Sequence, residues 1–266
     1  MKRKPGLLIL LSILMLACNL ISISTGQPEQ ASDPAPDKPL LPLNASATPV
    51  PTSIPSQPVG LRQGLASLNS YRLEIRTINN GPTADDKNEV TMRYESGSDG
   101  ESWHVSNAVL ASTAEEPGTV ETSQTDQYKV GDSMCEVSED GSEAEETPVD
   151  PQAQEIADIW YGLFDLLPMI NEPTFIGVET LNGVQVNHFR FNVSGLGATS
   201  GAEVVASEGE YWLAVDGQYI VKYILRLETR NGPAGDANTH TMRSEFYIEV
   251  KDINQPIVIS LPSSCR

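Results

Sequence analysis

The sequence predicts an α+β fold, a large and mainly antiparallel sheet of about ten strands with helices against one face. Three observations carry that prediction. Short stretches alternate apolar and polar residues with a period of two, as half-buried strands do. Asn182-Gly183 and Asp216-Gly217 sit between such stretches as hairpin turns. A single long stretch, residues 151–167, instead repeats apolar residues at helical spacing. Hairpins make the sheet antiparallel, and a helix laid on one face completes the class.

The chain opens on Lys2, Arg3 and Lys4, an apolar run from Leu7 to Ala17, and Cys18. That order of charge, apolar run, small residue and cysteine is a bacterial lipoprotein export signal. The run is well short of the roughly 20 apolar residues that span a bilayer, so it reads as a leader. Met15-Leu16-Ala17-Cys18 resembles a lipobox, which makes Cys18 the lipid-anchor residue and the mature N-terminus. Two acyl chains on Cys18, palmitate among the candidates, would anchor the protein stably to a cell membrane, with the rest on the extracytoplasmic face. The domain division follows: 1–18 signal, 19–58 tether, 59–266 folded domain.

Residues 19–58 are rich in Pro, Ser, Thr, Ala and Gln and poor in large apolar side chains, so ordering them has too little burial to offset its entropy. The sequons at Asn44 and Asn192 read as chance matches in such a protein.

Charge excludes some functions. The chain has 17 basic and 36 acidic residues, a net charge of −19. Loss of the three basic leader residues leaves 14 against 36, or −22. Nothing would neutralise a phosphate backbone, so no nucleic-acid partner is expected. A basic patch for anionic headgroups is equally missing. Cys135 and Cys265 are an even pair that reads as a disulfide in an oxidising compartment, the alternative being two free thiols.

In order, residues 60–69 predict a short amphipathic helix through Leu61, Leu65 and Leu68. Residues 71–78 and 90–95 alternate cleanly as a hairpin pair, and 102–110 is a third strand. Residues 127–130 and 133–137 pair through Gly131-Asp132. Residues 136–150 hold seven acidic residues and no Lys or Arg, in a spacing that does not fit a calcium loop, and read as a mobile solvated loop.

Asp150 can cap the strong helix and Pro151 suits its first turn. Ile156, Ile159, Trp160, Leu163 and Leu167 form its stripe, which Phe164 and Leu166 widen beyond what a surface helix needs. Strands follow at 174–180, 184–193, 210–215, 219–229, 241–251 and 257–261. Residues 80–85 and 231–236 echo one another (Asn-Gly-Pro-x-x-Asp), each leading into a Thr-Met-Arg strand.

No catalytic arrangement emerges. Gly-x-Ser-x-Gly is absent, His104, His188 and His240 sit on separate strands without a neighbouring ligand pair, and 195–201 is a small-residue loop rather than a phosphate cradle. No cofactor and no metal are expected, and the protein is read as not an enzyme.

The order of elements, with Ser67-Leu-Asn-Ser-Tyr-Arg, Tyr128-Lys-Val-Gly-Asp, Phe175-Ile-Gly-Val-Glu-Thr-Leu-Asn-Gly-Val, Tyr211-Trp-Leu-Ala-Val-Asp-Gly-Gln-Tyr-Ile-Val-Lys and Asp252-Ile-Asn-Gln-Pro-Ile-Val-Ile-Ser-Leu-Pro, resembles the LolA/LolB superfamily. LppX/LprG-type lipoproteins are the nearest form. The resemblance spans residues 59–262 and implies a curved half-barrel wrapped around one or two helices, with acyl chains held on its concave face. Candidates for the lining are Trp103, Trp160, Leu163, Phe164, Leu167, Phe189, Phe191, Trp212 and Tyr223. The expected function is binding or carriage of a lipid or other apolar ligand. The alternative is an interaction or envelope-sensing module with a filled core and an envelope protein as partner.

Overall fold

The structure, a computed structural model, describes residues 64–81, 83, 86–112, 119–138, 144–148, 171–193, 202–231 and 240–265. Cys18, the 19–58 tether, the 195–201 loop and the 151–167 helix with Trp160, Leu163, Phe164 and Leu167 lie outside them.

Among the described residues, eleven strands form one open antiparallel sheet: β1 Tyr71–Asn80, β2 Lys87–Ser96, β3 Trp103–Ser112, β4 Glu121–Val130, β5 Ser133–Ser138, β6 Ala144–Pro148, β7 Asn171–Leu181, β8 Val184–Asn192, β9 Ala202–Ala214, β10 Ile220–Asn231 and β11 His240–Lys251. Their spatial order is β6-β5-β4-β3-β2-β1-β11-β10-β9-β8-β7. Every neighbour is the preceding or following strand except β1 and β11, which join the first strand to the last. Asn80 and Asn231, which open the two echoed segments, lie at the same end of the sheet, with Asn80 paired with Arg243 and Asn231 with His240.

Two expectations change. The acidic 136–150 stretch contains β6, which pairs with β5 from Ser133↔Pro148 to Val137↔Ala144. An edge strand needs only backbone partners on one side, so a polar sequence can fill it, and charge or proline there discourages further pairing. Residues 257–261 form no strand. Both backbone edges of β1 are already taken by β2 and β11, so the chain after Lys251 crosses strand ends instead. Asn254 N donates to Ser70 O at 2.8 Å, and Ile257 N to Ser98 Oγ at 2.8 Å. The crossing ends at Cys265, bonded to Cys135 of β5 across a sequence separation of 130.

The predicted first helix is represented by one turn at Gly64–Leu65. A Cβ on Gly64 would stand 2.5 Å from Tyr219 Cβ, so only glycine lets this turn settle on the β9–β10 connection.

Alternation sorts the side chains onto two faces. On one, Arg72 meets Glu95 at 2.5 Å and Asp252 at 2.7 Å, Arg93 meets Glu74 at 3.2 Å, Arg226 meets Glu245 at 3.0 Å and Arg243 meets Glu228 at 3.1 Å. Exposed pairs of this kind add little each. The Arg76 guanidinium holds the Glu89 carboxyl below its ordinary value. Burial pushes Glu95 and Glu249 upward, but Arg72 and His104 around the first, and Lys251, Tyr247 and Asn182 around the second, outweigh it and leave both lowered. A carboxyl lowered by folding stabilises above its unfolded pKa and loses that contribution as pH falls through the folded one. The urea midpoint is therefore expected to stay level from pH 7 to about 5 and fall below roughly pH 4.3. A midpoint unchanged at pH 3 would contradict these ion pairs.

Candidate functional site

The other face is apolar, and the pairing registers trace its central row across nine strands: Thr125, Asn107, Met92, Ile75, Ile248, Tyr223, Tyr211, Phe189 and Phe175. The row passes from polar through aliphatic to aromatic. Phe189 stacks on Tyr211 with ring centroids 5.0 Å apart, and Phe175 meets Phe189 edge-on at 5.6 Å. Phe191, in the next row, lies 5.7 Å from Tyr211 and 5.4 Å from Tyr223. It has room because its cross-strand partner is Gly209, where a Cβ would stand 2.3 Å from Phe191 Cζ.

Burial grades along the strands. Leu73, Val250, Ile248, Tyr223, Leu225 and Tyr211 are sealed from solvent, whereas Ile75, Thr77, Val90, Val109 and Phe246 are half-buried. Burial lifts the Tyr211 phenol to about 12 and pushes the Tyr223 phenol up as well. Tyr223 OH, Thr229 Oγ1 and Asn107 Oδ1 are buried on this face without a hydrogen-bond partner.

Of the candidates named from sequence, Phe189, Phe191, Trp212 and Tyr223 belong to the main apolar cluster, and Trp103 sits in a smaller one with Met92, Val105 and Met134. Trp212 reaches its cluster from the other side of the strand, where its polar contacts lie on the charged face. It lies one residue from Tyr211 and Leu213, and side chains alternate along a strand. Its Nε1 donates to Glu179 Oε1, His188 stacks on it at 4.3 Å, and Lys222 Nζ stands 5.3 Å from its ring. Tyr211 takes the place on the apolar face. The hairpin through Asp216-Gly217 held the signal, since its register sets Tyr211 opposite Tyr223.

The charged face repeats one motif. His104 stacks on Tyr128 at 4.2 Å, with Glu95 3.1 Å and Asp126 2.9 Å from its ring nitrogens. His188 stacks on Trp212 with Glu179 at 3.4 Å and Glu210 at 3.8 Å. The carboxylates hold the rings in place. Among the described residues no three His, Cys, Asp or Glu side chains gather as a metal-holding group. An open groove of about 520 Å³ lies at the far end of β9, β10 and β11, walled by Arg226, Arg243, Glu228 and Glu245, and of the described candidates none, neither Trp103, Phe189, Phe191, Trp212 nor Tyr223, lines it.

The class defined so far is an open eleven-stranded antiparallel sheet with one apolar, aromatic-walled face and one ion-paired face. Solved structures similar to it include the lipoprotein LppX of Mycobacterium tuberculosis, at 14% identity over 76% of this chain and 94% of that one, with a TM-score of 0.33. A LolA superfamily protein of Nitrosomonas europaea is similar at 10% identity over 77% and 96%, TM-score 0.21. A DUF1329 family protein of Desulfovibrio piger is similar at 11% identity over 76% and 95%, TM-score 0.22. No family model matches the chain, and no curated protein matches it. The LppX and LolA names suggested by the sequence motifs recur here; with TM-scores below 0.5, the functional reading stands on the chain's own residues.

Proposed function

We propose that this protein is a membrane-anchored, extracytoplasmic lipoprotein that binds a lipid or other apolar molecule against the apolar face of its sheet, without catalysis. One observation carries the reading: the unbroken nonpolar row from Met92 through Ile75, Ile248, Tyr223, Tyr211 and Phe189, flanked by Phe191, Leu225 and Leu73. A sheet face this wide needs a cover. The 151–167 segment lies outside the described residues, but its amino-acid sequence, with Trp160, Leu163, Phe164 and Leu167, is apolar enough to supply one in a half-barrel. The half-buried end at Thr77, Val90, Val109 and Phe246 is where a chain would enter. Cys18 carries the anchor, residues 19–58 the tether, and residues 59–266 the binding domain. The Cys135–Cys265 bond suits an oxidising compartment outside the cytoplasm.

The test is lipid extraction of the purified full chain followed by mass spectrometry. A stoichiometric lipid beyond the anchor itself is expected, as is uptake of a pyrene-labelled fatty acid. A chain with neither is no carrier. Labelled palmitate should enter the protein and fail to do so in Cys18→Ser.

A second reading has its own observation. Tyr211, Tyr223, Leu213 and Leu225 are fully sealed, as in a filled core that works through its surfaces. It predicts crosslinked envelope partners, no bound lipid, and a Trp160→Ala variant altered in stability alone.

A further inference from the structure

The two edges of the sheet are built differently. β6 closes one with Glu145, Glu146 and Pro148, residue types that discourage a further strand. β7 forms the other, and among the described residues no strand lies beyond it. Its middle, Thr174 to Val178, carries no charge, and Phe175, Ile176 and Val178 are 41%, 49% and 54% exposed. Three half-exposed apolar side chains on an open edge are a template for another extended chain.

The pattern along β7 is complementary to itself. Its register with β8 shifts between Phe175 and Gly177, so Ile176 is the bulged residue and the alternation of faces slips by one. Thr174, paired with Arg190, and Glu179, paired with Val186, therefore both lie on the charged face, while Phe175 and Val178 both lie on the apolar face. A second β7 laid antiparallel, about a twofold axis between Ile176 and Gly177, matches that order. Phe175 comes opposite Val178 of the second copy, and Thr174 opposite its Glu179. Ile176 comes opposite the copy's Gly177, where a Cβ would meet nothing within 4 Å. Arg190 sits one strand behind Thr174, which sets its backbone about 10 Å from that of the copy's Glu179, within reach of two long side chains. Both side chains are exposed, and the twofold axis makes every contact twice.

We propose that this protein pairs with a second copy of itself through β7, joining two sheets edge to edge, with Arg190 and Glu179 bridging the copies at both ends of the apolar contact. The surface is separate from the apolar face and needs no ligand on it. A single strand pair is small for a protein interface, so the two copies associate and part rather than staying joined.

Cysteines at Phe175 and Val178 test the register. Within one copy they lie about 10 Å apart along the strand, too far for a disulfide, whereas between copies they face one another. The full chain carrying Phe175→Cys and Val178→Cys together, produced in cells and mildly oxidised, is expected to run as a linked dimer on a non-reducing gel. Its yield should stand roughly tenfold above that of either single variant, whose thiols do not meet in this register. Adding Ile176→Lys places like charges beside the axis and should cut the yield by roughly tenfold, with the thermal midpoint unchanged. No linked dimer, an equal yield from a single variant, or a yield indifferent to Ile176→Lys overturns the proposal.

Discussion

Replacing Cys135 and Cys265 together with alanine is expected to lower stability by about 2–5 kcal/mol. The bond joins residues 130 apart in sequence, so in the unfolded chain it constrains a long loop, and the chain-entropy account gives its larger values for such loops. The native geometry adds a local reason. The chain from Asp252 to Cys265 belongs to no strand and is held by few backbone bonds, at Ser70 and Ser98. Without the disulfide its detachment is opposed by these bonds, by the Arg72–Asp252 ion pair, by side-chain hydrogen bonds at Asn69, Ser70 and Ser98, and by the burial of Ile257. Urea unfolding with and without reductant measures the loss, and amide exchange at residues 254–265 locates it. An unchanged midpoint under full reduction would show that the crossing is held by its own contacts.

Phe191→Ala is expected to cost about 3–5 kcal/mol, the range for truncating a buried aromatic. Phe191 is 2% exposed and wedged among Tyr211, Tyr223 and the bare backbone of Gly209. The converse change, Gly209→Ala, places a methyl where the ring now sits and is expected to cost about 1–3 kcal/mol, because the neighbouring rings leave Phe191 nowhere to swing. These two losses share one space. With the ring gone, the methyl partly fills the void, so the double variant should lose at least 0.5 kcal/mol less than the two single losses combined. Denaturant unfolding of all four proteins closes the cycle. Strict additivity would mean that the ring does not rest on the glycine.

Much of the sheet was legible because alternation and turn chemistry agree where one face is apolar. β1, β2, β8, β10 and β11 all show it, and Asn182-Gly183 and Asp216-Gly217 mark two of the hairpins. The gaps have physical reasons. The first half of β4, Glu-Thr-Ser-Gln-Thr-Asp, pairs with β3 through its backbone and carries no apolar rhythm to read. β9 begins eight residues before the expected Glu210, in a stretch whose small residues Ala206 and Gly209 hide its parity, with a register shift opposite Glu228–Thr229. Residues 257–261 look like a strand in composition, but composition cannot tell that every neighbouring edge is occupied. On the candidate site, aromatic type drew the eye to Trp212, while parity placed Tyr211 inward. The orphan hydroxyls of Tyr223 and Thr229 leave no trace in the sequence, since a lost partner is a property of packing.

The ion pairs along β1–β2 and β10–β11 do something that the apolar pattern cannot. Sliding one strand by a single residue turns greasy side chains outward and is rejected at once. A slide of two preserves the apolar face and would pass that check. In these hairpins it sets Arg72 against Arg93 or Glu74 against Glu95, and Arg226 against Arg243 or Glu228 against Glu245, like charge on like. The solvent-side carboxylates and guanidinia thus proofread the even-numbered misalignments during folding, though each pair adds little to the finished molecule.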